Sequence, residues 1–348
     1  MTAMNLPCPQ TPKPRGTVEL SHGSGGRAMH ELIQWFFAQH LDNPILRQND
    51  DGARLPAQSG EWVMTTDAHV VSPLFFPGGD IGCLAIHGTV NDLAMMGAQP
   101  RYIAAAFILE EGFPLADLER IVISMSRAAN ESGVCVVTGD TKVVDRGKGD
   151  GVFITTTGLG ILPTGRCVSG SRACVGDAVL LSGSIADHGM AVLAQRESLH
   201  FDPPLISDTA PLNGLVEALF DTAADIHVLR DPTRGGLAAT LHEIALQSQV
   251  NITIDESAIV LTPAVSAACE LLGIDPLHVA NEGKLLAICA QTDAALLLSA
   301  MQRHPAGLQA AIIGTVTDEP MHGVQMITRL GGRRMVEWLS GAPLPRIC

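Results

Sequence analysis

Apolar residues recur along the chain in two rhythms. Met29, Leu32, Ile33, Phe36 and Phe37 keep the i, i+3, i+4, i+7, i+8 spacing of an amphipathic helix, directly after Ser21-His22-Gly23-Ser24-Gly25-Gly26. A glycine loop feeding a helix amino terminus offers unpaired N–H groups and the positive end of the helix dipole to an anion. Residues 61–66 read as a strand delivering Asp67 at its end, and Asp80 caps a predicted helix over 81–96. A strand over 101–109 follows. Pro114 opens a helix with Leu118, Ile121, Val122 and Met125 inward, and Gly133 is placed to stop it. Residues 134–138 form a buried-strand pattern ending in Gly139-Asp140-Thr141-Lys142, and 152–160 is a threonine-rich strand.

Turn residues crowd 163–176, which marks a boundary between two halves. The second half repeats the mixture. Strands are predicted over 178–182, 285–290, 311–316 and 324–329, and helices over 212–223 and 237–247, the latter with Leu237, Leu241, Ile244 and Ala245 on one face. Thr262 and Pro263 supply a cap and first-turn pair for another helix. The expected fold class is α+β, in two lobes: 1–16 a flexible arm with four prolines, 17–165 a first domain, 166–338 a second α/β domain, and 339–348 a tail. No short internal repeat suggests a solenoid.

The length of 348 residues agrees with two domains at roughly 150 residues each. At 46% hydrophobic and 17% charged, the composition belongs to a globular protein and excludes a wholly disordered chain. The longest apolar run, from Tyr102 to Leu109, falls far short of the ~20 residues that span a bilayer. With no secretory core at the amino terminus either, a cytoplasmic protein with no membrane role is expected. A net charge of −14 with no basic patch argues against nucleic acid. The eight cysteines include no Cys-x-x-Cys pair, which excludes a zinc ribbon or thioredoxin-like site. Cys135 and Cys289 lie in apolar strand-like runs and are expected in the core, whereas Cys348 is the last residue.

Candidate chemistry concentrates in carboxylates. Asp51 stands in an Asp-Asp-Gly-Ala turn, Asp67 and Asp140 at strand ends, and Asp92 in an apolar helix on the stripe of Ile81, Ala85 and Gly88. Singly, each reads equally as a cap or turn former. Together they suit Mg²⁺, which takes carboxylate oxygens and substrate phosphates. Lys142 is either a phosphate ligand beside Asp140 or a surface lysine paired with Asp145. In Asn281-Glu282-Gly283-Lys284, the acid is either a solvated loop residue or a base whose pKa burial would raise. Asp231-Pro232-Thr233-Arg234-Gly235-Gly236 is a second glycine-ended loop entering a helix, either a phosphate cradle or a tight connection. No Walker A loop is present, since neither Gly-Lys pair is followed by Ser or Thr.

Taken in order, these blocks resemble the HypE family of hydrogenase maturation factors, within the superfamily of aminoimidazole ribonucleotide synthetase and selenophosphate synthetase. The resemblance runs from about residue 17 to the end. It rests on Ser-His-Gly-Ser-Gly-Gly, Pro-Leu-Phe-Phe-Pro-Gly-Gly-Asp-Ile-Gly, Gly-Thr-Val-Asn-Asp-Leu-Ala, Thr-Gly-Asp-Thr-Lys-Val-Val, Asp-Pro-Thr-Arg-Gly-Gly, Asn-Glu-Gly-Lys and the final Pro-Arg-Ile-Cys. The arm with Cys8 departs from the pattern.

The resemblance implies two α/β domains of the aminoimidazole ribonucleotide synthetase type, forming a homodimer with nucleotide near the subunit interface. It implies an ATP-dependent carbamoyl dehydratase: Cys348 receives a carbamoyl group from HypF, ATP phosphorylates the amide oxygen, and loss of phosphate and protons leaves a thiocyanate. Its cyanide then passes to iron on the HypC–HypD complex. On this reading Asp51, Asp67, Asp92 and Asp140 hold Mg²⁺ and ATP, with Gly25 and Gly26 at the nucleotide. Lys142 meets phosphate or developing charge, and Glu282 is the base. Pro343 and Pro345 favour an extended tail, whose ten residues reach at most roughly 33–36 Å. Two alternatives compete: another ATP-dependent amide or selenide activator of the superfamily, and a non-catalytic scaffold whose terminal thiol holds iron.

Overall fold

The structure, a computed structural model, describes residues 12–318, 323–339 and 341. The expectations for Cys8, for Cys348 and for most of the arm and tail therefore lie outside the described residues.

The first half builds one four-stranded sheet. In chain order its region contains α1 (Arg27–Leu32), which continues as a π-helical turn over Ile33–Ala38, then β1 (Glu61–His69), the short hairpin β2 (Phe75–Phe76) and β3 (Gly79–Asp80), and α2 (Ile81–Met95). β4 (Gln99–Glu110), α3 (Leu115–Ser132), β5 (Cys135–Val144) and β6 (Val152–Leu162) complete it. The strand order is β1-β6-β4-β5, with β4 and β5 parallel and the other pairs antiparallel. Alternation along β4 sends Ile103, Ala105, Phe107 and Leu109 into a core shared with α2 and α3, where Leu84, Leu118, Ile121 and Met125 are fully buried. Asp80 caps α2 as expected, accepting the N–H groups of Gly82 and Cys83 at 2.8 and 3.2 Å. Gly133 closes α3 in the left-handed conformation, φ 70°.

The second half builds a seven-stranded sheet of order β13-β12-β9-β11-β7-β10-β8. Its elements are β7 (Ala178–Leu181), α4 (Asp187–Arg196), α5 (Asn213–Phe220), β8 (Ile226–Arg230), α6 (Gly236–Ser248), β9 (Asn251–Asp255) and α7 (Pro263–Leu272). They continue with β10 (Leu286–Cys289), α8 (Ala294–Arg303), β11 (Ala311–Thr317), β12 (Val324–Ile327) and β13 (Arg333–Met335). Thr262 caps α7 through the N–H of Val265, with Pro263 in its first turn.

Three expectations change. β1 and β5 run on through His69 and Val144, so Asp67 and Asp140 sit inside strands rather than at their ends. Cys135 is exposed, because it opens β5 at the edge of the sheet, while Cys289 in the interior strand β10 is buried as expected. The helices α4 and α8, the hairpin β2–β3 and the strands β8, β9 and β13 emerge where no element was expected.

Candidate active site

Two domains meet where α2 ends and where the connections after β8 and before β10 turn. Buried Asn91 on α2 joins them: its amide donates to the carbonyls of Ala210 and Glu282 at 3.1 and 3.3 Å, and its oxygen accepts the Leu212 N–H at 2.8 Å. Asn281 repeats the device within the second domain. It accepts the Ala186 N–H at 2.7 Å and donates to the Pro232 carbonyl at 2.8 Å, fixing the Glu282 turn against the Asp231 loop.

These ties close a cavity of about 110 Å³ lined by Thr66, Asp67, His69, Asp92, Asp231, Thr233, Arg234 and Glu282, among others. Asp67 comes from β1, Asp92 from α2, Asp231 from the end of β8 and Glu282 from the turn before β10. Thr65 donates to Asp92 at 2.8 Å, and Asp67 lies 3.6 Å from the ring of buried His69. Gly88 leaves room here: a Cβ on it would stand 3.4 Å from the Asp67 carboxylate and 3.2 Å from the His69 ring.

Four acids around one small cavity leave a clear electrostatic mark. Burial, aided by the neighbouring charge of Asp67, raises Asp92 above the ordinary carboxylate range. Burial and the charge of Asp92 push Asp231 up to about 7. Glu282 is raised well above the ordinary range, by burial first and then by the charges of Asp231, Asp208 and Asp67. Arg234 at the cavity offsets only part of this. Burial also lowers the pKa of His69, so it is a neutral ring at neutral pH and adds no cation.

Beneath the cavity, Asp208 holds the Glu282 turn. Its carboxylate accepts the N–H groups of Glu282 and Gly283 at 3.1 and 3.3 Å and pairs with Lys284 at 3.1 Å, with both partners largely buried. A Cβ on Gly283 would fall 1.8 Å from the Asp208 carbonyl oxygen, so the close approach requires glycine.

The expected site residues divide between two places. Asp67, Asp92 and Glu282 converge in the cavity. Asp51 is exposed in its loop and does not line it. Asp140 lies across the sheet on β5, where it pairs with Lys142 at 3.0 Å, and both are exposed; Lys142 thus takes Asp140 as its partner rather than Asp145. In register, Asp140 stands beside Ala106 and Gly139 beside Ala105, and Ala105 pairs with Thr156 opposite Asp67. Asp140 and Lys142 therefore point to the face opposite the helices, three strand spacings, or roughly 14 Å, from β1. The glycine loop flanks β5: Gly25 has φ 79°, Gly26 caps α1, and a Cβ on Gly23 would strike Val143.

Sequence reasoning missed Asp231 and His69 as members of the cavity. Asp231 carried a signal, since it opens the glycine-ended loop, but its carboxylate was not separated there from the loop's backbone.

This arrangement of domains and acids has known relatives. Residues 49–162 match the family model "AIR synthase related protein, N-terminal domain", and residues 175–327 match "AIR synthase related protein, C-terminal domain". Carbamoyl dehydratase HypE of Cupriavidus necator is 59% identical over 334 residues, covering 96% of this chain and 95% of its own length. Carbamoyl dehydratase HypE of Escherichia coli is 44% identical over 336 residues, covering 95% of this chain and 99% of its own. The chain belongs to the HypE family. A solved HypE structure in complex with ATP superposes with a TM-score of 0.90 at 50% identity, covering 93% of this chain and 98% of that one. HypE in a HypE–HypF complex superposes at 0.78, also at 50% identity, covering 88% and 99%. Both expected domain types and the α+β class thus stand. Among the described residues, no helix is long and apolar enough to cross a membrane.

Proposed function

We propose that this HypE-family chain is the ATP-dependent carbamoyl dehydratase of nickel-iron hydrogenase maturation, converting a carbamoyl group on Cys348 to a thiocyanate. The observation that carries the reading is buried Glu282, poised among Asp67, Asp92 and Asp231 where the two domains close. Dehydrating an amide needs the oxygen made into a leaving group and the nitrogen stripped of protons. The amide oxygen attacks the γ-phosphorus and ADP departs; the C–O bond then breaks, inorganic phosphate leaves, and the nitrogen loses two protons as the C≡N bond forms. Glu282 takes the first, because burial raises its basicity well above that of an ordinary carboxylate. The second goes to phosphate or solvent, and the net loss is one water.

Mg²⁺ fits the cavity: Asp67, Asp92 and Asp231 present oxygen donors, and burial beside like charges makes the ionised forms of Asp92 and Asp231 costly unless a hard cation neutralises them. Bound there with ATP, it would supply charge compensation for the phosphates. Arg234 stands at the same cavity and can orient a phosphate oxygen.

Asp51, Asp140, Lys142 and the loop of Gly25 and Gly26 belong, on this reading, to the nucleotide's other end. Asp140 and Lys142 lie on the open face of the first sheet with exposed Trp62, Met64 and Ile108. That face is the proposed homodimer interface, with nucleotide near it, and residues 17–165 form the ATP-binding and dimerisation domain. Residues 166–338 supply Asp231 and Glu282, and the tail from 339 carries the acceptor thiol between partner and site. HypF is the proposed carbamoyl donor, in keeping with the solved HypE–HypF complex, and HypC–HypD the cyanide acceptor, all in the cytoplasm.

Intact-mass analysis of the carboxy-terminal peptide after incubation with HypF, carbamoyl phosphate and ATP tests this reading. The expected result is one carbamoyl group on Cys348, then loss of the mass of one water. An unmodified tail with competent partners would instead favour a superfamily enzyme acting on a free substrate.

A further inference from the structure

At the opposite end of β8 from Asp231, three donors of different softness meet. Cys174 and Asp177 lie on the turn leading into β7, and His227 is the second residue of β8. One ligand atom from each lies within 4.8 Å of the other two. Asp177 is buried and accepts the Cys174 N–H at 2.7 Å. The same carboxylate oxygen is 2.7 Å from His227 Nδ1, while Asp225 is 3.2 Å from Nε2. A carboxylate on the far ring nitrogen is the arrangement that fixes the tautomer and orientation of a metal-bound histidine.

We propose that Cys174, Asp177 and His227 form a binding site for a thiophilic divalent ion of the Zn²⁺ class. Backbone and carboxylate hydrogen bonds account for Asp177 and His227 as a clasp on the turn. They do not account for the thiol, which among the described residues reaches only the Arg172 carbonyl, at 3.5 Å, yet stands beside both other donors. Cys174 is exposed, so an ion has a way in. A thiolate, an imidazole and one carboxylate select Zn²⁺ or Co²⁺ over Mg²⁺, which prefers an all-oxygen shell. On binding, the ion displaces the thiol proton and the proton shared by His227 and Asp177, and both pass to solvent. Three protein donors leave a further position for water. At a rise of about 3.3 Å per residue, His227 lies roughly 13 Å from Asp231 along β8, so the site is separate from the acidic cavity.

Metal-free full-length protein, and a Cys348→Ala counterpart lacking the terminal thiol, are titrated with Co²⁺ and then Zn²⁺. Both should develop a thiolate-to-cobalt charge-transfer absorption that saturates at one thiolate-bound Co²⁺ per chain and that Zn²⁺ abolishes. Cys174→Ser should lose the band while keeping the melting temperature and ATP hydrolysis of the parent. Asp225→Asn should weaken binding roughly 10- to 100-fold. A band missing from the Cys348→Ala protein, or one persisting in Cys174→Ser, overturns the site.

Discussion

Glu282 carries two opposed demands, and a single substitution separates them. Its folded-state pKa lies above the ordinary 4.5, so the folded chain holds that proton more tightly than the unfolded chain does. Stability contributed by the protonated form is complete at low pH and is lost as pH rises from about 4.5 toward the folded-state value. Glu282→Gln imitates the protonated acid. It should lower the dehydration rate by roughly 100- to 10,000-fold and yet raise the melting temperature of the nucleotide-free protein at pH 7, with the gain vanishing near pH 4. Wild-type dehydration by this variant would remove Glu282 as the base. Asp208 differs in kind, because its charge is matched. Asp208→Asn leaves the Lys284 ammonium buried without its carboxylate and should cost about 3–5 kcal/mol in denaturant unfolding. Adding Lys284→Met should restore much of that loss. Equal stability of the single and double variants would mean that the pair does not hold the turn.

At the scale of elements, α2 shows how a helix is shaped for the site it carries. Asp80 fixes its start, Gly88 makes space over Asp67, and Asp92 enters the cavity one turn later. Gly88→Ala exchanges a poor helix former for the best one, a change worth roughly 1 kcal/mol in an open helix. Here the new methyl presses on the His69 ring and comes into contact with the Asp67 carboxylate. The expected outcome is a melting temperature within a few degrees of wild type with ATP binding weakened at least severalfold, measured by calorimetry with Mg²⁺ present; unchanged binding would show that Asp67 tolerates the displacement. The cap, the stripe leading to Asp92 and the glycine stop of α3 were legible because each is a local rule. The true lengths of β1 and β5 were not, since Asp67-Ala68-His69 and Gly139-Asp140-Thr141-Lys142 read as polar or turn residues rather than as a continued apolar alternation. α4 gave no stripe because nearly every side of it is buried, and β8 is only five residues long. Asp231 looked like loop chemistry because its meeting with Asp67 and Asp92 is made by Asn91 and Asn281, through contacts between distant segments that no window of sequence contains.

For the whole molecule, the decisive surface is the side of the first sheet that no helix covers among the described residues. Met64 is 70% exposed there, and Trp62 and Ile108 are each 41% exposed. Large apolar groups gathered on one flat face mark a contact with another surface. Asp140 and Lys142 share that face, on the far side of the sheet from the acidic cavity. In a lone copy they stand in water, on the other side of the sheet from the cleft where the proposed Mg²⁺ and phosphates would lie. In the proposed homodimer, a second copy packed on this face would give the apolar residues a partner and place the Asp140–Lys142 pair at a subunit boundary. Met64→Asp puts a charge on that proposed interface without touching a core residue. It should convert a dimer to a monomer in sedimentation velocity, leave the circular dichroism spectrum unchanged, and reduce ATP-dependent dehydration at least tenfold. Lys142→Ala should reduce the same rate while leaving the dimer whole, which separates the chemistry of the pair from the assembly that presents it. A wild-type chain that sediments as a monomer at full activity would mean that the cleft and the Asp140–Lys142 pair do not work together.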